Sequence, residues 1–190
     1  MRASVFVGTS LDGFIARKNG SLDFLPTVGG DPNGYEDFIA TIDACVIGRK
    51  TYEWVLGWMR RTGGRWPYEK PVIVLSHKPS RVRIPKTAKC EVLNCSPDKA
   101  VALLEKRGVR HIYVDGGKTI QAFLRAGLID RIIVNRFPVL IGQGVPLFGE
   151  LPHDLRLRHV STEAFPRGLV KSEYRVLRAG RGRHAPGHRR

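Results

Sequence analysis

Ala44-Cys45-Val46-Ile47-Gly48-Arg49-Lys50-Thr51 and His111-Ile112-Tyr113-Val114-Asp115-Gly116-Gly117-Lys118-Thr119 decide the fold. Each stretch is an apolar run, then glycine, then a basic residue, and each leads into a segment with helical spacing. The runs 44–47 and 111–114 do not alternate, and neither does 71–75 (PVIVL). Such runs suit strands covered on both faces, as in a parallel sheet flanked by helices. After the first, Tyr52, Val55, Leu56 and Met59 mark one face of a helix over 50–59. After the second, the spacing predicts a helix over 117–126.

The same alternation extends both ways. Residues 2–8 form a β-rich run, followed by a long polar loop dense in Gly, Asp and Asn. A loop of that length in a compact domain is usually functional. Tyr35, Phe38 and Ile42 share one face of a helix over 35–41. Residues 90–93 read as a strand. Ser96 and Pro97 open a helix to about Arg107, and Gly108 closes it. A strand follows over 129–135. Residues 155–164 and 169–177 alternate and are joined by Phe165-Pro166-Arg167-Gly168, which predicts an antiparallel hairpin. The reading is an α/β fold with a mixed, mostly parallel central sheet and a C-terminal antiparallel hairpin. Residues 1–178 form one domain, and 179–190, made of Gly, Arg, His and Pro with two Ala, form a disordered basic tail.

A chain of 190 residues can bury a sizeable core as one domain. No apolar run approaches the roughly 20 residues of a membrane helix, and the start lacks the pattern of a signal peptide. A cytoplasmic protein without a membrane partner is expected. Cys45, Cys90 and Cys95 have no second Cys/His pair at finger spacing, so idle thiols are expected and no metal site. The net charge is +15, and only four of the arginines lie in the last ten residues. A basic body attracts anions: nucleic acid, phosphorylated metabolites, or a dinucleotide with an extra phosphate.

In a parallel α/β sheet, ligands bind beyond the carboxyl ends of the strands. Gly48-Arg49-Lys50-Thr51 stands at one such end. Glycine allows close approach, free helix amides favour phosphate, and Arg49 can grip it with two bonds. Asp115-Gly116-Gly117-Lys118-Thr119 repeats the arrangement. It is no P-loop, because Ile112 occupies the position of the required first glycine, and it is no GxGxxG. One long dinucleotide could span both. Ser76, His77 and Lys78, after the run 71–75, offer a hydroxyl and cations for a 2′-phosphate. Asp12 before Gly13 shapes a turn, and 140–148 is a Gly-rich structural turn.

Taken together, SLDGFIA, VIGRKTYE, PVIVLS, YVDGGKTIQAFL and VLIGQGVPLF, in this order, resemble the dihydrofolate reductase-like superfamily. They are similar in particular to the C-terminal reductase domain of bacterial riboflavin deaminase-reductases. The resemblance covers about residues 2–177 and implies a three-layer α/β/α fold, NADPH as cofactor, hydride transfer to a pyrimidine or pteridine, and a homodimer. It implies that Gly8, Thr9, Ile15 and Ala16 flank the nicotinamide. Gly48, Arg49, Lys50, Thr51 and Ser76 would hold the adenosine side, and Gly116, Gly117, Lys118 and Thr119 the pyrophosphate. Dihydrofolate reductases carry an acid on the helix before the second strand. Glu36 and Asp37 lie closer to Gly48 than in that pattern, so equivalence is not drawn. The GRKTYE stretch also departs from the fused enzymes, and no H-x-E with P-C-x-x-C is present, which points to a stand-alone relative.

The expected activity is reduction of a substrate of the 5-amino-6-(5-phosphoribosylamino)uracil type. Asp12 and Asp37 are the candidate acids, Asp37 for substrate orientation and Asp12 for loop shape. Dihydrofolate reductase activity and a catalytically silent NADPH sensor are the alternatives. Nucleic-acid binding is a weaker one, since the basic residues are scattered and no reader motif is present.

Overall fold

The computed structural model describes residues 1–25, 33–64, 66–85 and 88–177. The tail expected over 179–190 and part of the long early loop lie outside the described residues. An eight-stranded sheet runs in the order β5-β4-β3-β6-β1-β7-β10-β9. Its parallel part comprises β1 (Arg2–Ser10), β3 (Ala44–Gly48), β4 (Val72–Leu75), β5 (Cys90–Leu93), β6 (His111–Asp115) and β7 (Arg131–Phe137). β10 (Val170–Val176) joins β7 antiparallel, and β9 (Leu157–Ala164) closes that edge as its hairpin partner.

The unalternating runs are buried as expected because helices cover both faces. β1 shows the division. Val5 and Val7 point into one core with Phe123, Ile120 and Leu104. Phe6 points into the other with Phe38, Tyr52 and Tyr113. The first core packs against α3 (Pro97–Lys106) and α4 (Gly117–Arg125), the second against α1 (Tyr35–Ala40) and α2 (Arg49–Thr62). The result is the three-layer α/β/α arrangement. Burying a Phe123-sized side chain contributes about 2–3 kcal/mol.

Several element ends shift by one or two residues, as where β1 runs to Ser10 rather than 8 and β9 starts at Leu157 rather than 155, and three further details differ from the sequence reading. α2 runs three residues past Met59, because Arg60 and Arg61 suit the negative helix end and Gly63, at φ 64°, ends it. β7 begins at Arg131 rather than 129 and continues to Phe137. A two-stranded ladder also joins β2 (Phe14–Ala16) to β8 (Val145–Pro146). Strands of three and two residues are too short for alternation to show, so both segments read as turns. No helix among the described residues is long and apolar enough to cross a membrane.

Candidate active site

Each parallel strand hands the chain to a helix at its carboxyl end. A cleft of about 920 Å³ lies along those ends. It collects Gly8, Ile15, Ala16, Gly48, Arg49, Lys50, Thr51, Ser76, Gly116, Gly117, Lys118 and Thr119. Thr9, buried on β1 next to Gly8, is not among the lining residues, and its Oγ1 has no hydrogen-bond partner among the described residues.

The two glycine motifs interlock. A Cβ placed on Gly48 would stand 2.5 Å from Thr119 Oγ1, and one on Gly116 would run into Thr51 Oγ1. Each motif's threonine therefore occupies the space that the other motif's missing side chain leaves. Gly116 also has φ 91°, a conformation that favours glycine. A Cβ on Gly117 would come within 2.9 Å of Val145 Cγ1, which brings the turn at 140–148 to the cleft. The matching G-x-K-T spacing of the two motifs was the sequence signal for this packing.

Neither α2 nor α4 has a side-chain cap at its N-terminus. α3 does, since Ser96 Oγ accepts from the Lys99 amide. First-turn amides at α2 and α4 thus face the cleft with the helix dipole behind them, which suits phosphate. Arg49 is ion-paired with Glu53 one turn on, which fixes its direction along the helix. With Lys50, Lys78 and Lys118 it makes the cleft wall basic. An uncapped helix pair, a glycine cradle and cations fit a phosphorylated dinucleotide.

The two acids expected from sequence are not in the cleft. Asp12 accepts from the amides of Ile141 and Gly142 at 3.2 and 2.7 Å, tying the early loop to the turn at 140–148. The Ser10 hydroxyl and then those amides hold its carboxyl below the usual range. Asp37 is exposed on the first turn of α1. The acid that does line the cleft is Asp115, at the end of β6 beside Tyr113 and Tyr68. Burial raises its pKa to about 6, against the opposing bond from the Gly116 amide. Its signal in the sequence was its place: an acid at a strand's carboxyl end, before two glycines. Trp54, Leu22 and Leu25 also line the cleft, and nothing in their spacing marked them out.

Residues 4–171 match the RibD C-terminal domain. The chain belongs to the RibD C-terminal domain family. Among its relatives, a putative riboflavin biosynthesis protein from Shewanella sp. PV-4 is 38% identical, with a TM-score of 0.83 over 94% of this chain and 100% of that one. YwjB of Bacillus subtilis (strain 168) is 32% identical over 164 residues, 85% of this chain and 90% of that protein. The diaminohydroxyphosphoribosylaminopyrimidine deaminase/5-amino-6-(5-phosphoribosylamino)uracil reductase of Thermotoga maritima is 17% identical, with a TM-score of 0.68 over 93% of this chain and 56% of that one. At that identity the likeness is one of fold. The RibD C-terminal domain family is a reductase-domain family, and the cleft lies where a parallel sheet of this topology places ligands.

Proposed function

We propose that the protein is an NADPH-dependent reductase of a pyrimidine- or pteridine-type substrate, of the 5-amino-6-(5-phosphoribosylamino)uracil reductase kind. The observation that carries this reading is the pair of uncapped, interlocked helix N-termini on one cleft, in a chain of this family.

A bound nicotinamide dinucleotide supplies the hydride. Every other task falls to the chain. Gly116, Gly117, Lys118 and Thr119 bind the pyrophosphate through amides and one ammonium. Gly48, Arg49, Lys50, Thr51 and Ser76, with His77 and Lys78 alongside, hold the adenosine ribose and its extra phosphate. Gly8, Ile15 and Ala16 form the wall for the nicotinamide, and the Thr9 hydroxyl gives its carboxamide a buried partner. Asp12 shapes the loop that carries Ile15 and Ala16. Asp115, its pKa raised by burial to about 6, is the acid that lines the cleft and is placed to pass a proton there, whereas Asp37 lies outside it.

A homodimer in the cytoplasm completes the reading. Every residue of β9 is exposed although the strand is part of the sheet, which leaves a surface for a second copy. The decisive experiment is a calorimetric titration with NADPH and NADH. Micromolar binding with a clear preference for NADPH is the expected result. No binding of either would make the strand-end motifs structural turns.

A further inference from the structure

Asn135 presents an anomaly beside the cleft. It lies on β7 with 1% of its surface exposed, and neither Nδ2 nor Oδ1 has a hydrogen-bond partner among the described residues. Buried carboxamides are almost always bonded, so an orphan with both ends free calls for a partner that is not part of the chain. The residues opposite it on the two adjacent strands do not supply one. Lys171, opposite on β10, donates to the carbonyl of Asn33 at 3.1 Å and pairs with Glu163 at 2.9 Å. On the other side Asn135 stands opposite Gly8 on β1, which has no side chain to offer.

The register places this amide in line with the cleft. In-register partners on adjacent strands project to the same sheet face. Asn135 therefore shares the face of Phe6 and Gly8, both of which line the cleft. The nearest side chains above Gly8 among the described residues are Phe137 and Leu25, 3.1 and 3.3 Å from where its Cβ would be. Leu25 and Gly8 both line the cleft, so the amide sits one strand away from the cleft wall on the same sheet face.

We infer that the Asn135 carboxamide reads the lactam edge of a planar N-heterocycle seated over Gly8. A carboxamide offers one acceptor and a donor side by side in a plane. A lactam, with N–H next to C=O, is its complement and pairs with it through two bonds. Such an edge belongs to uracils and pterins alike, and a site built to bond it rejects analogues that lack it. This rests on the reductase reading and adds to it the edge that is recognised and the residue that recognises it.

The test uses full-length protein and two probes, 5,6-diaminouracil and its 1,3-dimethyl derivative, in which the lactam N–H is blocked. NADPH binding is measured separately and tests the reductase reading alone. Wild-type protein saturated with NADPH should bind the unmethylated uracil at least about tenfold more tightly. Asn135→Leu, of similar size, should abolish that preference, leave NADPH affinity within about twofold, and melt no lower than wild type, since it removes an unsatisfied group. Wild-type protein that binds NADPH yet does not prefer the unmethylated probe overturns the inference without touching the reductase reading, and needs no variant. A preference that survives in Asn135→Leu overturns it too. So does a large drop in melting temperature, which would show that the amide is satisfied inside the fold by water.

Discussion

Two hollows of nearly equal size lie at opposite ends of the same sheet. The one at the carboxyl ends has about 920 Å³ and the one at the amino ends about 950 Å³. Both are rich in basic residues, yet they differ in what those residues do. At the amino end the charges are largely spent on the fold. The N-terminal ammonium pairs with Glu105 at 2.6 Å, and Arg131 grips Glu173 with two bonds of 2.7 and 2.6 Å. Arg2 lies against His111. Gly108, which follows the C-terminus of α3, lies here too, so the helix end facing this hollow is negative. At the carboxyl end, α2 and α4 present their positive, uncapped ends. Size and charge count do not distinguish the hollows. The direction of the parallel strands does, because it sends helix N-termini to one end only.

The sharpest way to break this contrast is to substitute one glycine at each end. Gly108 and Gly116 have φ of 82° and 91°. A Cβ on Gly108 meets nothing within 4 Å, whereas one on Gly116 meets Thr51. Gly108→Ala should cost about 1–2 kcal/mol of stability from backbone strain alone and leave NADPH affinity unchanged. Gly116→Ala should cost roughly 3 kcal/mol, strain plus overpacking, and lower NADPH affinity more than about tenfold. Chemical denaturation and calorimetry read both. Equal costs would mean that the interlocking of the two motifs contributes nothing.

Charge comes next. Arg49→Ala should weaken NADPH by about 10–100-fold, the loss of a charge-assisted pair of bonds, and NADH far less. Arg110→Ala, in the other hollow, should change neither. Equal loss of NADPH and NADH in Arg49→Ala would show that this guanidinium does not read the extra phosphate.

Asp115 gives the contrast a pH dependence. Its folded pKa of about 6 lies above the unfolded value of 3.8. Between those values the folded protein binds the extra proton, so Asp115 makes stability fall as pH rises from about 4 to 6. Above that window the whole penalty of the buried carboxylate is present. Asp115→Asn should flatten this slope and raise the melting temperature at pH 8, while reductase activity falls. A variant that melts lower at pH 8 would show that the carboxylate is stabilised by its surroundings after all.

Much of this was legible in the chain. Unalternating runs such as 71–75 announce a covered strand, and Ser96-Pro97 announces a helix start. Gly48 and Gly116 pointed to the strand ends that line the cleft, and the same glycines also serve packing, each making room for the other motif's threonine. What stayed hidden depends on contacts between distant segments. Asp12 reads as a turn residue, and only the fold shows it binding amides 129 and 130 positions away. The β2–β8 ladder is too short to leave a pattern. Asn135 sits in a strand among Ile and Val, where the sequence shows its polarity but not that both ends of its amide lack partners among the described residues.

The smallest expected effect belongs to the amino end. Arg131 and Glu173 link β7 to β10, with side chains 30% and 16% exposed. Glu173→Gln keeps the shape and one acceptor but removes the charge. Partial exposure lets solvent take up much of what Arg131 loses, so the cost should be about 1 kcal/mol or less and should shrink with added salt. NADPH affinity should stay within about twofold, because no helix N-terminus and no cradle glycine is disturbed. A larger change in affinity would mean that the hollows communicate through β1, which pairs directly with β7 and also lines the cleft at Gly8. The two ends would then have to be treated as one coupled unit, with the ion pair at one end setting the register of the strand that floors the other.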